Sequence, residues 1–404
     1  MSPSHIYLDH NATAPLLPEV AAAIAECYAA GCANPASQHE PGRNARRRLE
    51  EAREEIADRL GADVTRTSNP DRLIFTSGGT ESNNLALFGL ASRRGQRILI
   101  SAIEHPSVTA AAERLARAGH QLVRLPVLPT GVVDTAALQA ACDTPPDVAS
   151  VMLGNNETGV LQPVAQIASH LRRLGTRMHT DAAQVVGKVQ VHFGELGVDA
   201  MSLTAHKFHG PRGIGALLLR GGVELDSQLV GGPQQQGLRA GTEDLALVVG
   251  LRQALRCYQR DADARRERLA GLRDRLEAEL SAAIPDLVVH GAAARRLPHV
   301  SDLAFVGVDR QALFMALDVA GVACSTGSAC ASGASDPSPT LVAMGCANKL
   351  IESSLRFSVG ATTTEADVLE AAGRIVQTYN RLRSASEPKK AAGDARGACQ
   401  NSLY

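Results

Sequence analysis

L-I-F-T-S-G-G-T-E-S-N, from Leu73 to Asn83, reads as a buried strand, a tight turn and the opening of a helix. The apolar run ends at Thr76. Gly78 and Gly79 then permit a sharp reversal, and Thr80 starts a helix whose first N–H groups find no partner within it. Such an end suits an anion, although a plain strand–turn–helix cap uses the same letters. The Gly-Lys-Ser/Thr ending of a nucleotide P-loop is missing.

The alternation extends outward from this stretch. Apolar runs fall at Leu73–Thr76, Ile98–Ser101, Leu122–Leu125, Val148–Leu153, Met178–Thr180, Ala200–Leu203 and Gly215–Leu219. Helical patterns separate them at Thr80–Ser92, Ser107–Ala118 and Val164–Leu174. Short apolar runs interleaved with helices predict an α/β fold around a mostly parallel, seven-stranded sheet covered on both faces. Upstream, Arg43–Leu60 predicts an amphipathic helix with Leu49, Ala52, Ile56 and Leu60 on one face. Its charges are spaced to pair as Arg46–Glu50 and Arg47–Glu51, and Gly61 would end it.

Downstream, Glu243–Ser281 predicts one long helix leading to a second region. Strands are expected there at Leu287–His290, Asp302–Val306 and Ser354–Val359, with helices at Arg310–Ala320 and Glu365–Leu382. The chain thus divides into a large domain over 16–262 and a smaller α+β domain made of 1–15 and 263–384. Residues 385–404, polar and rich in small side chains, predict a mobile tail. No internal repeat is found.

Composition excludes several functions. The 404 residues carry 41 basic and 42 acidic side chains, a net charge of −1, so no basic footprint for nucleic acid or an anionic membrane exists. No apolar stretch is long enough to span a bilayer. The opening M-S-P-S-H-I-Y-L-D-H-N shows no basic segment followed by an apolar run, so no secretory signal is expected. Eight cysteines in a chain this long do not describe a disulfide scaffold, and no C-x-x-C offers zinc spacing, so no metal is expected. A cytoplasmic enzyme is the expectation.

Ligands bind at the carboxyl ends of strands in such sheets, so the residues just after each run carry the chemistry. I-E-H-P-S places His105 after the second run, beside Pro106, where it is either structural or catalytic. H-T-D-A-A-Q places Asp181 and Gln184 after the fifth. L-T-A-H-K-F-H-G-P-R-G, from Leu203 to Gly213, places Lys207 after the sixth. Only five of the 41 basic residues are lysine, the others being arginine. A lysine can lose its proton and act as a nucleophilic amine, whereas arginine does not. A glycine-rich anion cradle with a His, an Asp, a Gln and a Lys near strand ends matches the needs of pyridoxal phosphate: Schiff-base lysine, partner for the pyridine nitrogen, and phosphate site.

Two further features lie near the C-terminal end. A-C-S-T-G-S-A-C-A-S-G-A-S-D-P-S, from Ala323 to Ser338, predicts a flexible loop carrying Cys324 and Cys330, of which Cys330 is the candidate reactive thiol. S-S-L-R-F-S-V-G places Arg356 inside an apolar strand, where its guanidinium requires a carboxylate, either the protein's own or a substrate's.

With these segments the chain resembles the NifS/IscS-type cysteine desulfurases of the class V aminotransferase family. The resemblance runs from Tyr7 in Y-L-D-H-N-A-T-A-P to about Gly360, through T-S-G-G-T-E-S-N-N, E-H-P-S-V, N-N-E-T-G-V, T-D-A-A-Q, A-H-K-F-H-G-P-R-G-I-G-A-L, L-R-A-G-T-E, S-T-G-S-A-C and L-R-F-S-V-G. It implies fold-type I of the pyridoxal-phosphate enzymes and a homodimer. Lys207 would form the Schiff base, His105 would stack on the ring, Asp181 would face the ring nitrogen and Gln184 the ring hydroxyl. Gly79, Thr80, Thr204 and His206 would hold the phosphate, with Thr242 reaching across from the second subunit. Asn156 and Arg356 would bind the carboxylate of L-cysteine, and Cys330 would take its sulfur as a persulfide. An acceptor protein, an iron–sulfur scaffold or a thiolation protein, would collect that sulfur. A selenocysteine lyase, another class V aminotransferase-like enzyme and a non-catalytic sulfur-transfer scaffold are the competing expectations. Two departures from the family pattern stand out: G-G-P-Q-Q-Q-G at Gly231–Gly237, where relatives commonly carry Gln-Glu-Arg, and Cys324, a thiol that could compete with Cys330.

Overall fold

The computed structural model of the chain describes residues 5–31, 33–327 and 336–386. The strands, in chain order, are β1 Ile6–Tyr7, β2 Arg72–Thr76, β3 Arg97–Ser101, β4 Gln121–Leu125, β5 Val148–Ser150, β6 Arg177–Asp181, β7 Ala200–Thr204, β8 Gly215–Leu219, β9 Leu287–Val289, β10 Val300–Phe305, β11 Val322–Ala323 and β12 Ser354–Ser358. Seven of them form one sheet in the order β2-β8-β7-β6-β5-β3-β4. Only β8 runs against its neighbours. The strands carry apolar side chains on both faces because both faces are covered. Ile98, Ile100, Val148 and Leu217 pack on one side and Leu99, Ala149, Met201 and Leu218 on the other, all fully buried.

A second core lies around the antiparallel sheet β12-β10-β9. There Leu276, Leu280, Leu303, Phe305, Leu313, Phe357, Ile375 and Tyr379 pack together. The N-terminal segment belongs to it, since Ile6 and Leu8 are part of this core and β1 pairs in parallel with β11. Beyond Leu8 the chain crosses toward the large sheet. Asp9 bridges to Ser358, and the Ala14 N–H donates to the carbonyl of His206 at 2.8 Å.

The fold matches the sequence reading in class and in the seven strands of the large sheet, but strands β1 and β11 and the helices Pro18–Ala29 and Thr135–Ala141 are absent from that reading, and two further details differ. The long helix expected over Glu243–Ser281 is two helices, Leu245–Gln259 and Ala262–Ala283. The break is at Asp261, whose backbone leaves the helical region (φ −142, ψ 33) while its side chain pairs with Arg265 at 2.7 Å. In the helix Glu40–Arg59, Arg47 pairs with Glu51, but Glu50 takes Arg53 because Arg46 is bonded to the carbonyl of Pro35. Gly61 ends that helix at φ +69, and a Cβ there would come within 2.4 Å of the His192 ring. Of the expected tail over 385–404, residues 385 and 386 instead end the helix Glu365–Ser386, and 387–404 lie outside the described residues. No helix among the described residues is long and apolar enough to cross a membrane.

Candidate active site

Parallel strands β5, β6 and β7 deliver their carboxyl ends to one side of the sheet, and the N-terminal crossing segment passes over them. Between them lies a cavity of about 320 Å3 bounded by Asn11, Glu104, His105, Asn156, Gln184, Lys207 and Arg356. Five of the residues singled out from sequence therefore meet in one space.

Lys207 sits in the short turn Ala205–Phe208 that follows β7 directly. Its amine donates to the carbonyls of Asn11 at 2.5 Å and Ala12 at 3.0 Å, so the crossing segment holds it in place. The same Asn11 carbonyl accepts from Gln184 Nε2 at 3.1 Å. Asp181 ends β6. Its carboxylate accepts from Asn83 Nδ2 at 2.7 Å and from the Ala183 N–H at 2.9 Å. Behind it His179, fully buried, spans three strands by bonding Ser150 and Ser202, each at 2.9 Å, and burial pushes its ring down to about 4.

His105 serves two purposes at once. It caps the helix Pro106–Arg117, Nδ1 accepting from the Ser107 N–H at 3.1 Å, and it lines the cavity. Its neighbour Glu104 is buried; Oε1 accepts from the Met152 N–H at 2.7 Å and from the Ser101 hydroxyl, while Oε2 is buried with no partner. Burial raises this carboxyl to about 8, and the nearby charge of Asp181 adds to the rise.

The glycine turn runs straight into a helix, the arrangement that the cradle reading requires. The helix Gly79–Leu90 begins at Gly78 with no side chain capping it, leaving its first N–H groups to a ligand. A Cβ at Gly79 would stand 3.6 Å from the side chain of Thr204 and 3.9 Å from that of Ala183, closing the space over Thr204. His206 follows in the next turn, 3.2 Å from the Thr13 hydroxyl, and burial followed by the charge of Lys207 pushes its ring down to about 4. Thr80 is exposed at the rim of the cradle.

Arg356, nearly fully buried, already has a carboxylate. Nη2 pairs with Asp9 at 2.8 Å, and Nη1 donates to the carbonyls of Asn156 at 3.0 Å and Gly327 at 3.1 Å. Nε is buried without a partner. Of the two partners left open by the sequence, the protein's own is the one present. Cys324 proves to be a core residue of the smaller sheet, and burial pushes its thiol well above the ordinary range, so it is no competing nucleophile. Thr242 is exposed and does not line the cavity of its own chain. Cys330 lies outside the described residues.

Comparison with known proteins decides the assignment. The class-V aminotransferase family profile matches residues 6–370. The chain belongs to that family, in its cysteine desulfurase branch. It is 38% identical over 388 residues to the cysteine desulfurase IscS of Dictyoglomus turgidum, covering 95% of this chain and 97% of that one. It is 41% identical over 372 residues to an IscS-like cysteine desulfurase of Mycobacterium tuberculosis, covering 90% and 93%. Among solved structures, a NifS-like protein from Rickettsia africae superposes with a TM-score of 0.84 at 28% identity, covering 93% of this chain and 99% of that one. DndA from Streptomyces lividans does so with a TM-score of 0.71 at 36% identity, covering 87% and 99%. The architecture is that of the fold-type I enzymes.

The residues present fit the phosphorylated pyridine cofactor of this family. The uncapped helix end beside Thr204 suits its phosphate, the anchored Asp181 suits its ring nitrogen, and the buried, unpartnered Oε1 of Gln184 suits its ring hydroxyl. Three residues of the site were not assigned from the sequence: Asn11, Asn83 and Glu104. Asn83 and Glu104 stand inside motifs already quoted, each beside a more conspicuous neighbour. Asn11 acts through its backbone carbonyl, which no side-chain pattern reveals.

Proposed function

We propose that the chain is a pyridoxal-phosphate-dependent cysteine desulfurase that removes sulfur from L-cysteine and releases L-alanine. The observation that carries this is the single cavity in which Lys207, His105, Gln184, Asn156 and Arg356 meet at the carboxyl ends of β5, β6 and β7. Bound pyridoxal phosphate supplies an electron sink that makes the substrate's C–S bond breakable. Gly79, Thr80, Thr204 and His206 would hold its phosphate, Asp181 would keep its ring nitrogen protonated, and His105 would pack against its ring. Asn83 fixes Asp181 so that the carboxylate needs no reorientation when it binds.

Asn156 and Arg356 orient the substrate carboxylate, and Lys207 Nζ takes the proton from the substrate's Cα. The Cys330 thiolate then attacks the substrate sulfur. An S–S bond forms as the C–S bond breaks, Cβ takes up a proton, Lys207 returns a proton to Cα, and the products are L-alanine and a persulfide on Cys330. An acceptor protein for iron–sulfur assembly or thiolation collects that sulfur.

We further read the working molecule as a cytoplasmic homodimer. Thr242, exposed and away from its own cavity, is free to complete the phosphate site of a second copy. We read the chain as a large domain over 16–262 and a small one of 1–15 and 263–384; Ile6 and Leu8 packing in the core of the antiparallel sheet support the assignment of the N-terminal segment, while Leu297, Val300, Leu341, Met344 and Ile351 pack with the large-sheet core.

The test is incubation of the cofactor-loaded chain with L-cysteine and a reductant, measuring sulfide and alanine for the native chain and for Cys330→Ala. Equal amounts of both products from the native chain, and almost none from the variant with its visible colour intact, are expected. Undiminished sulfide from Cys330→Ala overturns the nucleophile, and transamination without sulfide overturns the reaction.

A further inference from the structure

Glu157 is a buried acidic side chain that none of the roles assigned above uses. Burying a carboxylate costs less when each of its oxygens is hydrogen-bonded, and here both are. The Ser338 hydroxyl donates to Oε2 at 2.5 Å and the Thr340 hydroxyl to Oε1 at 2.8 Å. Hydroxyl-to-carboxylate bonds of this length are among the stronger ones a protein makes. Ser338 is itself held, because its Oγ also accepts from the Leu341 N–H at 3.1 Å, capping the short helix Pro339–Ala343. Glu157 is held in turn. Its N–H donates to Asn155 Oδ1 at 2.9 Å, and Asn155 Nδ2 reaches Thr340 Oγ1 at 3.4 Å.

The same side chain meets the chain on the other side of Cys330. Gly327 has φ +101, and a Cβ there would come within 2.9 Å of Glu157 Oε2, so a bare glycine lets the backbone pass this close. Its carbonyl accepts from Arg356 Nη1, the atom that also donates to the carbonyl of Asn156. Just before it, Ser325 and Arg356 exchange backbone bonds at 2.8 and 3.1 Å. Cys330 falls between Gly327 and Ser338 in the sequence. Both ends of the segment that carries it therefore close on Glu157, beside Asn156 and at the edge of the cavity.

We propose that Glu157 is a positioning residue for the sulfur-transfer step: its carboxylate gathers Gly327, Ser338 and Thr340 at one point and so fixes the two ends of the segment that brings Cys330 to the substrate. The inference rests on Cys330 being the thiol that takes the sulfur.

The test uses the full-length, cofactor-loaded chain and the variants Glu157→Gln, Thr340→Val and Thr340→Ser. An amide accepts through only one of its two terminal atoms, so Glu157→Gln loses a hydroxyl partner. Thr340→Val loses one donor at nearly constant shape, and Thr340→Ser keeps it. Two steps are read separately. The visible band and the exchange of the Cα proton of L-alanine for deuterium, which asks nothing of Cys330, should stay at the native level in all three. Persulfide formation on Cys330 from L-cysteine should fall by about tenfold or more in Glu157→Gln, through kcat rather than KM. It should also fall in Thr340→Val and recover in Thr340→Ser. Undiminished persulfide in Glu157→Gln, a matching loss of Cα exchange, or no recovery in Thr340→Ser overturns the proposal. Amide hydrogen exchange over 336–343 reads the anchor without turnover. It should quicken in Glu157→Gln, and an unchanged rate overturns the anchoring whatever the activity. If Glu157→Gln does not fold, the two Thr340 variants decide by the same criteria. A native chain that exchanges the Cα proton but puts no sulfur on Cys330 overturns the nucleophile reading, and the amide exchange still decides whether Glu157 is an anchor.

Discussion

The two walls of the cavity are built differently. On the large-sheet side, Asp181, His105 and Lys207 stand at or just after strand ends and are fixed by short bonds from neighbours: Asn83 to Asp181, Ser107 to His105, Asn11 to Lys207. On the small-sheet side a single guanidinium does most of the joining. Arg356 ties β12 to Asp9 of the N-terminal segment, to Asn156 and to Gly327 at the edge of the loop that leads to Cys330. The first wall is rigid because the sheet beneath it is buried on both faces. The second is held by one charge network spanning segments far apart in sequence, so it is where a single substitution should loosen the site without erasing the cofactor pocket.

Lys207→Ala breaks the first wall at its centre. Loss of the amine is expected to abolish both the visible band with pyridoxal phosphate and sulfide release, measured by absorbance and product assay. Asp9→Asn breaks the second. It strands the buried Arg356 without a counter-charge, an expected loss of about 3 kcal/mol in unfolding free energy by denaturant titration. Sulfide formation should fall while the visible band survives. Equal loss of both signals would mean that the two walls are not separable.

Glu104→Gln sharpens the contrast through pH. A carboxyl raised from 4.5 to about 8 by burial contributes stability that is complete below 4.5 and lost as pH rises toward 8. The native chain should therefore lose unfolding free energy across that interval, and the Gln variant, which keeps the neutral form, should lose less. Both should still weaken as pH falls from 6.5 toward 4, where His10, His179 and His206 must gain protons in buried positions. The smallest effect belongs to the surface. Arg47→Ala, removing an exposed pair with Glu51, should change stability by no more than about 0.5 kcal/mol.

Much of this arrangement was legible in the sequence because the strand-end rule applies to β2, β3, β6 and β7, each of which runs straight into a quoted motif. Lys207 stood out because lysine is scarce here, and Asp181 and Gln184 because their strand ends abruptly. What the sequence hid was interaction across distance. The partner of Arg356 is 347 positions away in Asp9, with nothing local to announce it. Cys324 shares its small-residue surroundings with Cys330, yet the pairing of β11 with β1 carries it into the core. The break at Asp261 was hidden too, since helical periodicity continues on both sides of it.

The central claim is that the cavity around Lys207 drives sulfur onto Cys330. Its most direct test is peptide mapping by mass spectrometry after brief incubation of the loaded chain with L-cysteine and no reductant. The account predicts one added sulfur atom on the peptide containing Cys330 in the native chain and none anywhere in Lys207→Ala. Added sulfur on Cys324 or Cys346 instead, or on Cys330 in the absence of Lys207, would contradict it.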